Sequence, residues 1–374
     1  MTNTCHTPGS FYNNCKNCKD SRISTLCNVV DSLKCDRSYQ NGSKSGLFEP
    51  YEASNATFYS ALAYTDEPVE CANRIKEFGH IKIVEIIGRK CNYLFKYKEC
   101  YAITAVSHSM KKIILAYRGT TSPKQLIEEF TTVLGKFKVS TKVGGKIQVY
   151  FSNANDQIYP CAKASLKDLV NKYPSYRVII TGHSLGGAVA SIAAAQLVFD
   201  NVINNKTTTL YTFGMPRPGD RKYAMNHDKY LSKSWRIVHY RDIVAMLPTM
   251  TVLPSSPYHH QREIFYGADM SMFSDYIECF EYEDEECRIA PSKKSIEYHR
   301  TYYGIKVGSL CDENMNRRKR SDDVSSMSHL FNYATCRRIR VADMVTSGSN
   351  AFVYGVTNLV STLLCLTSIL YILE

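Results

Sequence analysis

Ser184 stands in Gly182-His183-Ser184-Leu185-Gly186, a pentapeptide with glycine two residues before and two residues after a hydroxyl. A serine hydroxyl is a poor nucleophile alone; it needs a base to take its proton and an acid to orient that base. The run Arg177–Thr181 before it reads as a short buried strand, and Gly187, Ala188, Ile192 and Leu197 after it read as a helix. A sharp strand-to-helix turn would lift the hydroxyl clear of the sheet, glycines would let the backbone pack there, and the helix N-terminus would face a developing oxyanion. Ser184 is therefore the candidate nucleophile, and Gly182, His183 and Gly186 the residues shaping its turn. An incidental serine in a glycine-rich turn would not require both flanking elements.

In chains of this design the acid and then the base follow the serine. Asp242, in Tyr240-Arg241-Asp242-Ile243-Val244, comes just after the strand-like Trp235–His239, where an orienting acid belongs. Asp220 and Asp228 have no strand immediately before them and read as a cap or surface charges. Four histidines follow Asp242. His329 falls in polar sequence. His299 lies late in the folded region, and His259 and His260 precede a strand-like Glu263–Tyr266. On chemistry alone, His299 and the His259/His260 pair are both candidate bases.

These groups need a scaffold. Ile81–Ile87, Tyr101–Val106, Ile113–Tyr117 and Tyr211–Phe213 read as further strands, and Ala162, Leu166, Leu169, Val170 and Tyr173 share one helical face ending before Pro174. Strands alternating with helices predict an α/β protein with a mainly parallel central sheet and helices on both faces, and the strand–Ser184–helix turn within it points to the α/β-hydrolase arrangement. Around it the chain divides into a Cys-rich N-terminal segment and linker (1–46), the catalytic domain (47–313), a loosely ordered polar, basic stalk (314–350) and a hydrophobic tail (351–374).

The formal charge of +11 over 374 residues favours anionic surfaces. No nucleic-acid motif accompanies it, which argues against nucleic acid as a partner. Fourteen cysteines point to an oxidising compartment. Cys15 and Cys18 lack a second pair at metal-site spacing, so a disulfide module is preferred, and Cys91 and Cys100 are placed to staple a hairpin. Setting aside Cys365 in the tail leaves an odd thirteen. Sequons at Asn41, Asn55 and Asn205 are glycosylation candidates, yet Met1–Ser10 carries no visible secretory signal. The uncharged Ala351–Leu373 is about long enough to cross a bilayer. With small residues at Ser347-Gly348-Ser349 it has the layout of a GPI-attachment signal, and a single transmembrane anchor is the alternative. Either would make the chain a membrane-anchored protein of the cell surface. Arg317-Arg318-Lys319-Arg320 reads as a solvated basic stalk or as a processing site whose cleavage would release the enzyme from its anchor.

Five ordered motifs resemble the class 3 (fungal-type) lipases, especially an animal, nematode-like branch, over roughly Tyr51–Cys311. They are Arg118–Ser122, Thr181–Ala188, Phe213–Arg217, Arg241–Pro248 and Tyr298–Gly304. The resemblance implies that the backbone N–H groups of Thr120 and Leu185 form the oxyanion hole. It also implies that His299 is the base, because Pro257-Tyr258-His259-His260 resembles a segment without that role. Gln125–Leu134, with Leu126, Ile127 and Phe130 on one face, stands where the family carries a lid; a helix packed into the core is the competing reading. Ala245-Met246 departs from the commoner Pro-His after the acid. The implied activity is hydrolysis of lipid carboxylic esters, triacylglycerol-lipase-like, through an acyl-enzyme at a lipid–water interface, with no metal or cofactor. A phospholipase A1, a non-lipid carboxylesterase and a non-catalytic lipid-binding protein are the alternatives.

Overall fold

The computed structural model describes residues 48–89, 100–120, 138–253, 255–287, 295–314 and 336–342. Nine strands form the central sheet: β1 (Lys82–Arg89), β2 (Cys100–Ser107), β3 (Lys112–Tyr117), β4 (Arg177–His183), β5 (Thr208–Phe213), β6 (Ser234–His239), β7 (Glu263–Tyr266), β8 (Tyr276–Cys279) and β9 (Arg337–Arg340). Their spatial order is β8-β7-β6-β5-β4-β3-β2-β1-β9. Strands β3 to β7 pair in parallel, whereas β1, β2, β8 and β9 join antiparallel. The expected mainly parallel sheet is therefore a parallel centre with antiparallel edges. The link from Ser107 to Lys112 is too short for a crossover helix, so β2 and β3 can only form a hairpin.

Successive strand residues point to opposite faces, and both faces are apolar. Ile113, Leu115, Tyr117, Val178 and Ile180 lie in one core with helices α3 (Val149–Lys172) and α4 (Leu185–Phe199). Ile114, Ala116, Ile179 and Tyr211 lie in the other with α1 (Pro50–Leu62). Helices α2 (Pro68–Arg74) and α5 (Arg221–Tyr230) complete the shell. A sheet covered in this way leaves its loops at the strands' C-terminal ends as the place for chemistry.

Disulfides Cys71–Cys311, Cys161–Cys336 and Cys279–Cys287 cross-link the described residues. Cys100 is also disulfide-bonded; Cys91 lies outside the described residues. The Cys161–Cys336 bond corrects the reading of 314–350 as loose stalk throughout. Arg337–Arg340 is a strand at the sheet edge, where Arg338 grips the buried Glu85 through two hydrogen bonds of 2.7 and 2.8 Å and reaches Asp168 at 2.6 Å. A second correction concerns Asn55. It sits inside α1 with 1% of its surface exposed, so the fold has no room there for a glycan. Asn205 lies in a turn before β5 with Thr207 exposed, which is compatible with modification. Asn41, Leu126, Ile127, Phe130, the N-terminal cysteines, Arg317–Arg320 and the hydrophobic tail lie outside the described residues. Among the described residues no helix is long and apolar enough to cross a membrane.

Candidate active site

Strand β4 delivers the chain to Ser184, which adopts φ 61° and ψ −131°, a left-handed conformation L residues rarely occupy, before α4 begins at Leu185. The turn is held by the Ser184 N–H donating to the Phe213 carbonyl at 2.8 Å. It is also held by close backbone contact: a Cβ on Gly182 would fall 2.3 Å from the Gly186 oxygen. Leu185 is the first residue of α4, so its N–H has no partner within the helix and lies at the positive end of the helix dipole. Thr120 is buried, three residues beyond β3. Its loop packs on the turn, since a Cβ on Gly186 would sit 2.8 Å from the Gly119 nitrogen.

Strand β6 ends at His239, and Asp242 follows in a tight turn whose N–H donates to the His239 carbonyl at 3.0 Å. A bridge between Asp242 and Ser295 carries the segment with His299 to the same end of the sheet. The buried Asp242 carboxylate accepts four hydrogen bonds. His299 Nδ1 donates to Oδ2 at 2.9 Å and Tyr302 Oη to the same oxygen at 2.6 Å. The Val244 and Ala245 amides donate to Oδ1 at 2.8 and 3.4 Å. Burial by itself would raise the Asp242 pKa, but the charge interaction and hydrogen bond with His299 and the bond from Tyr302 bring it below the usual carboxylate range. Asp242 thus stays an acceptor, His299 Nδ1 donates to it, and its Nε2 points away from the acid.

That Nε2 and the Ser184 Oγ are both buried without a hydrogen-bond partner. They do not bond each other in this conformation; such bonds are often long in unliganded sites and tighten around substrate. The His299 ring lies over that of His183, neighbour of the nucleophile, with centroids 4.4 Å apart. Burial, followed by the nearby His299, lowers the His183 pKa to about 3, so His183 is neutral at pH 7.

The rival histidines are engaged elsewhere. His259 Nδ1 lies 3.0 Å from the buried Glu283, which is clamped by Arg217, and His259 Nε2 lies 3.0 Å from the Met215 carbonyl. His260 is stacked on His227 with centroids 4.0 Å apart. Asp220 caps α5 by accepting from the Tyr223 amide at 2.8 Å, and Asp228 accepts from the Gln261 amide at 3.0 Å. His227, Asp228 and His260 form the single group of potential metal ligands among the described residues. Their two imidazole planes are only 11° from parallel, so the in-plane lone pairs run side by side and cannot converge on one ion without a ring rotation.

Three contributors escaped the sequence reading. Gly214 and Tyr302 lie within motifs that were recognised, but their contacts with Asp242 are tertiary. Tyr64, whose hydroxyl meets His183 Nδ1 at 2.8 Å, lies outside every motif, and nothing in its local sequence marks it.

A profile of the family described as Lipase (class 3) matches residues 114–252. The chain is 26% identical over 309 residues to Lipase ZK262.3 of Caenorhabditis elegans, covering 73% of this chain and 86% of that one. It is 30% identical over 213 residues to a lipase of Rhizomucor miehei, about half of either chain at 56%. The solved structure of Rhizomucor miehei triacylglyceride lipase superposes with a TM-score of 0.60 at 27% identity, covering 70% of this chain and 96% of that one. A second similar structure, a triacylglycerol lipase described as having a serine protease triad at its catalytic centre, gives 0.59 at 26% identity, with coverage of 70% and 96%.

Proposed function

Because this chain belongs to the class 3 lipases, α/β-hydrolases that cleave lipid esters, we propose that Ser184, Asp242 and His299 are its catalytic triad. The observation that carries this assignment is the 2.9 Å bond from His299 Nδ1 to Asp242, which leaves Nε2 unengaged beside the turn that bears Ser184. Ser184 attacks the ester carbonyl while His299 Nε2 takes its proton. His299 then returns that proton to the leaving alcohol, and the acyl-enzyme is hydrolysed by water activated in the same way. Asp242 fixes the tautomer and stabilises the imidazolium. The Leu185 and Thr120 amides receive the oxyanion; removing one such donor costs about 3–4 kcal/mol of transition-state stabilisation.

The substrate is an ester of aggregated lipid, met at a lipid–water interface. The disulfides among the described residues support an oxidising location, and a relative from Fusarium solani described as a secreted mono- and diacylglycerol lipase supports export. The catalytic domain is bounded by 47–313, joined by the edge strand β9, and the tail from Ala351 is the membrane attachment. A fluorophosphonate probe tests the chemistry: wild type labels and Ser184→Ala does not, with ester turnover lowered about 10⁴-fold. Equal labelling of both would remove Ser184 from the mechanism. Triolein, phosphatidylcholine and short nitrophenyl esters compared on the wild type rank the substrate classes.

A further inference from the structure

The elbow requires glycines around Ser184, but nothing in its backbone requires an imidazole at position 183. His183 is nevertheless buried, with 4% of its surface exposed, and both of its ring nitrogens are engaged. Its Nε2 lies 2.7 Å from the backbone carbonyl of His299. A carbonyl only accepts, so Nε2 carries the hydrogen. The ring is neutral, so Nδ1 is an acceptor, and the Tyr64 hydroxyl 2.8 Å away donates to it.

The Tyr64 oxygen also lies against Gly119, one residue before Thr120. Its fit there is close: a Cβ on Gly119 would fall 2.1 Å from Tyr64 Oη and 2.5 Å from the His183 carbonyl oxygen. One hydroxyl therefore joins the oxyanion loop to the ring that holds the base's backbone.

We propose that Tyr64 and His183 are positioning residues for the hydrolysis described above, a relay on which that reading depends for its geometry: Tyr64 fixes the His183 tautomer, and His183 holds the His299 backbone in register with the Gly119–Thr120 loop. Neutrality is part of the device. When His299 takes the Ser184 proton it becomes a cation 4.4 Å from the His183 ring, and a second cation there would oppose the transfer. Tyr64 reaches this place because α1 ends at Leu62 and the chain turns there, with Arg118 donating to the Thr65 carbonyl at 3.0 Å and to Asp66 at 3.1 Å.

The test uses full-length protein and a soluble short-chain nitrophenyl ester, so that interfacial binding does not enter. Glutamine can place an N–H where His183 Nε2 stands; asparagine reaches only the Nδ1 position, and leucine replaces neither. His183→Gln is expected within about threefold of wild type. His183→Asn and His183→Leu should lose about 30- to 100-fold in kcat with KM unchanged, the scale of an ångström-sized misplacement of a catalytic group. Tyr64→Phe should lose about tenfold in kcat, again without a change in KM. Thermal unfolding is followed in parallel, and Tyr64→Phe, which deletes a single oxygen, decides the matter where His183→Leu fails to fold. Wild-type kcat in Tyr64→Phe or His183→Asn, or a His183→Gln variant as impaired as His183→Leu at equal Tm, overturns the relay. A wild type that neither turns over the ester nor labels with fluorophosphonate overturns the hydrolase reading instead.

Discussion

Gly214 faces Asp242 so closely that a Cβ on Gly214 would lie 2.3 Å from Oδ2, the oxygen that receives both His299 and Tyr302. The same atom would lie 2.7 Å from His299 Nδ1, and Gly214 itself sits at φ 55°. Gly214→Ala should therefore separate acid from base while leaving the sheet in place. The expected result is a fall of at least about 100-fold in kcat/KM, with fluorophosphonate labelling slowed in proportion. Near-normal turnover in this variant would mean that the Asp242–His299 contact is dispensable.

Tyr302 donates to a carboxylate that is held below its usual pKa range partly by that bond. A depressed carboxylate contributes stability that is present above its unfolded pKa and lost as pH falls through its folded pKa. Tyr302→Phe raises the folded pKa, so the acid-side loss of stability and of activity should begin at a higher pH than in wild type. At pH 7 kcat/KM should fall about tenfold, consistent with one hydrogen bond to a charged group. A Tyr302→Phe pH–rate curve lying on the wild-type curve would remove Tyr302 from the acid's support.

Replacing two of the three candidate bases, His299 and His259, should separate activity from stability. His299→Ala should abolish turnover by about 10⁴-fold with folding kept. His259→Ala takes a partner from Glu283 in a buried ionic cluster and should cost about 1–3 kcal/mol of stability, while the folded fraction keeps its turnover within about threefold. Active-site titration with the fluorophosphonate supplies the folded fraction. Loss of turnover in fully titrated His259→Ala would return that residue to the mechanism.

Glu278, on the edge strand β8, has its pKa raised to about 7 by burial, against which the nearby Arg262 acts. An acid with a raised folded pKa stabilises the fold at low pH, and that stability is lost as pH rises through about 7. Glu278→Gln should therefore leave Tm unchanged near pH 4 and raise it at pH 8, by about 2–4 °C for each kcal/mol relieved. An equal shift at both pH values would show that the charge is not the cause.

The legible parts of this protein were those encoded locally. Ile113–Tyr117 and Arg177–His183 carry apolar residues on both faces, which only a central buried strand needs. The nucleophile turn is likewise written in five consecutive residues. The proposed base was not local: on chemistry alone His299 and the His259/His260 pair compete, the resemblance to the lipases favours His299, and only the tertiary Asp242–Ser295 bridge carries the His299 segment to Asp242. Strand β9 was illegible because three of its four residues are arginines. It is held by Glu85 and by Cys161, both distant in sequence, rather than by an apolar pattern. Asn55 misled for the opposite reason, since a sequon records three residues and not the helix packed around them.

The Cys161–Cys336 bridge changes what a protease could accomplish at Arg317–Arg320. That run lies between Cys311, tied to Cys71, and Cys336, tied to Cys161 within α3. Cutting after Arg320 would yield two polypeptides still joined by a cystine, the shorter of them contributing β9 and carrying everything downstream. Shedding from a surface would then require a thiol reductant as well as a peptidase.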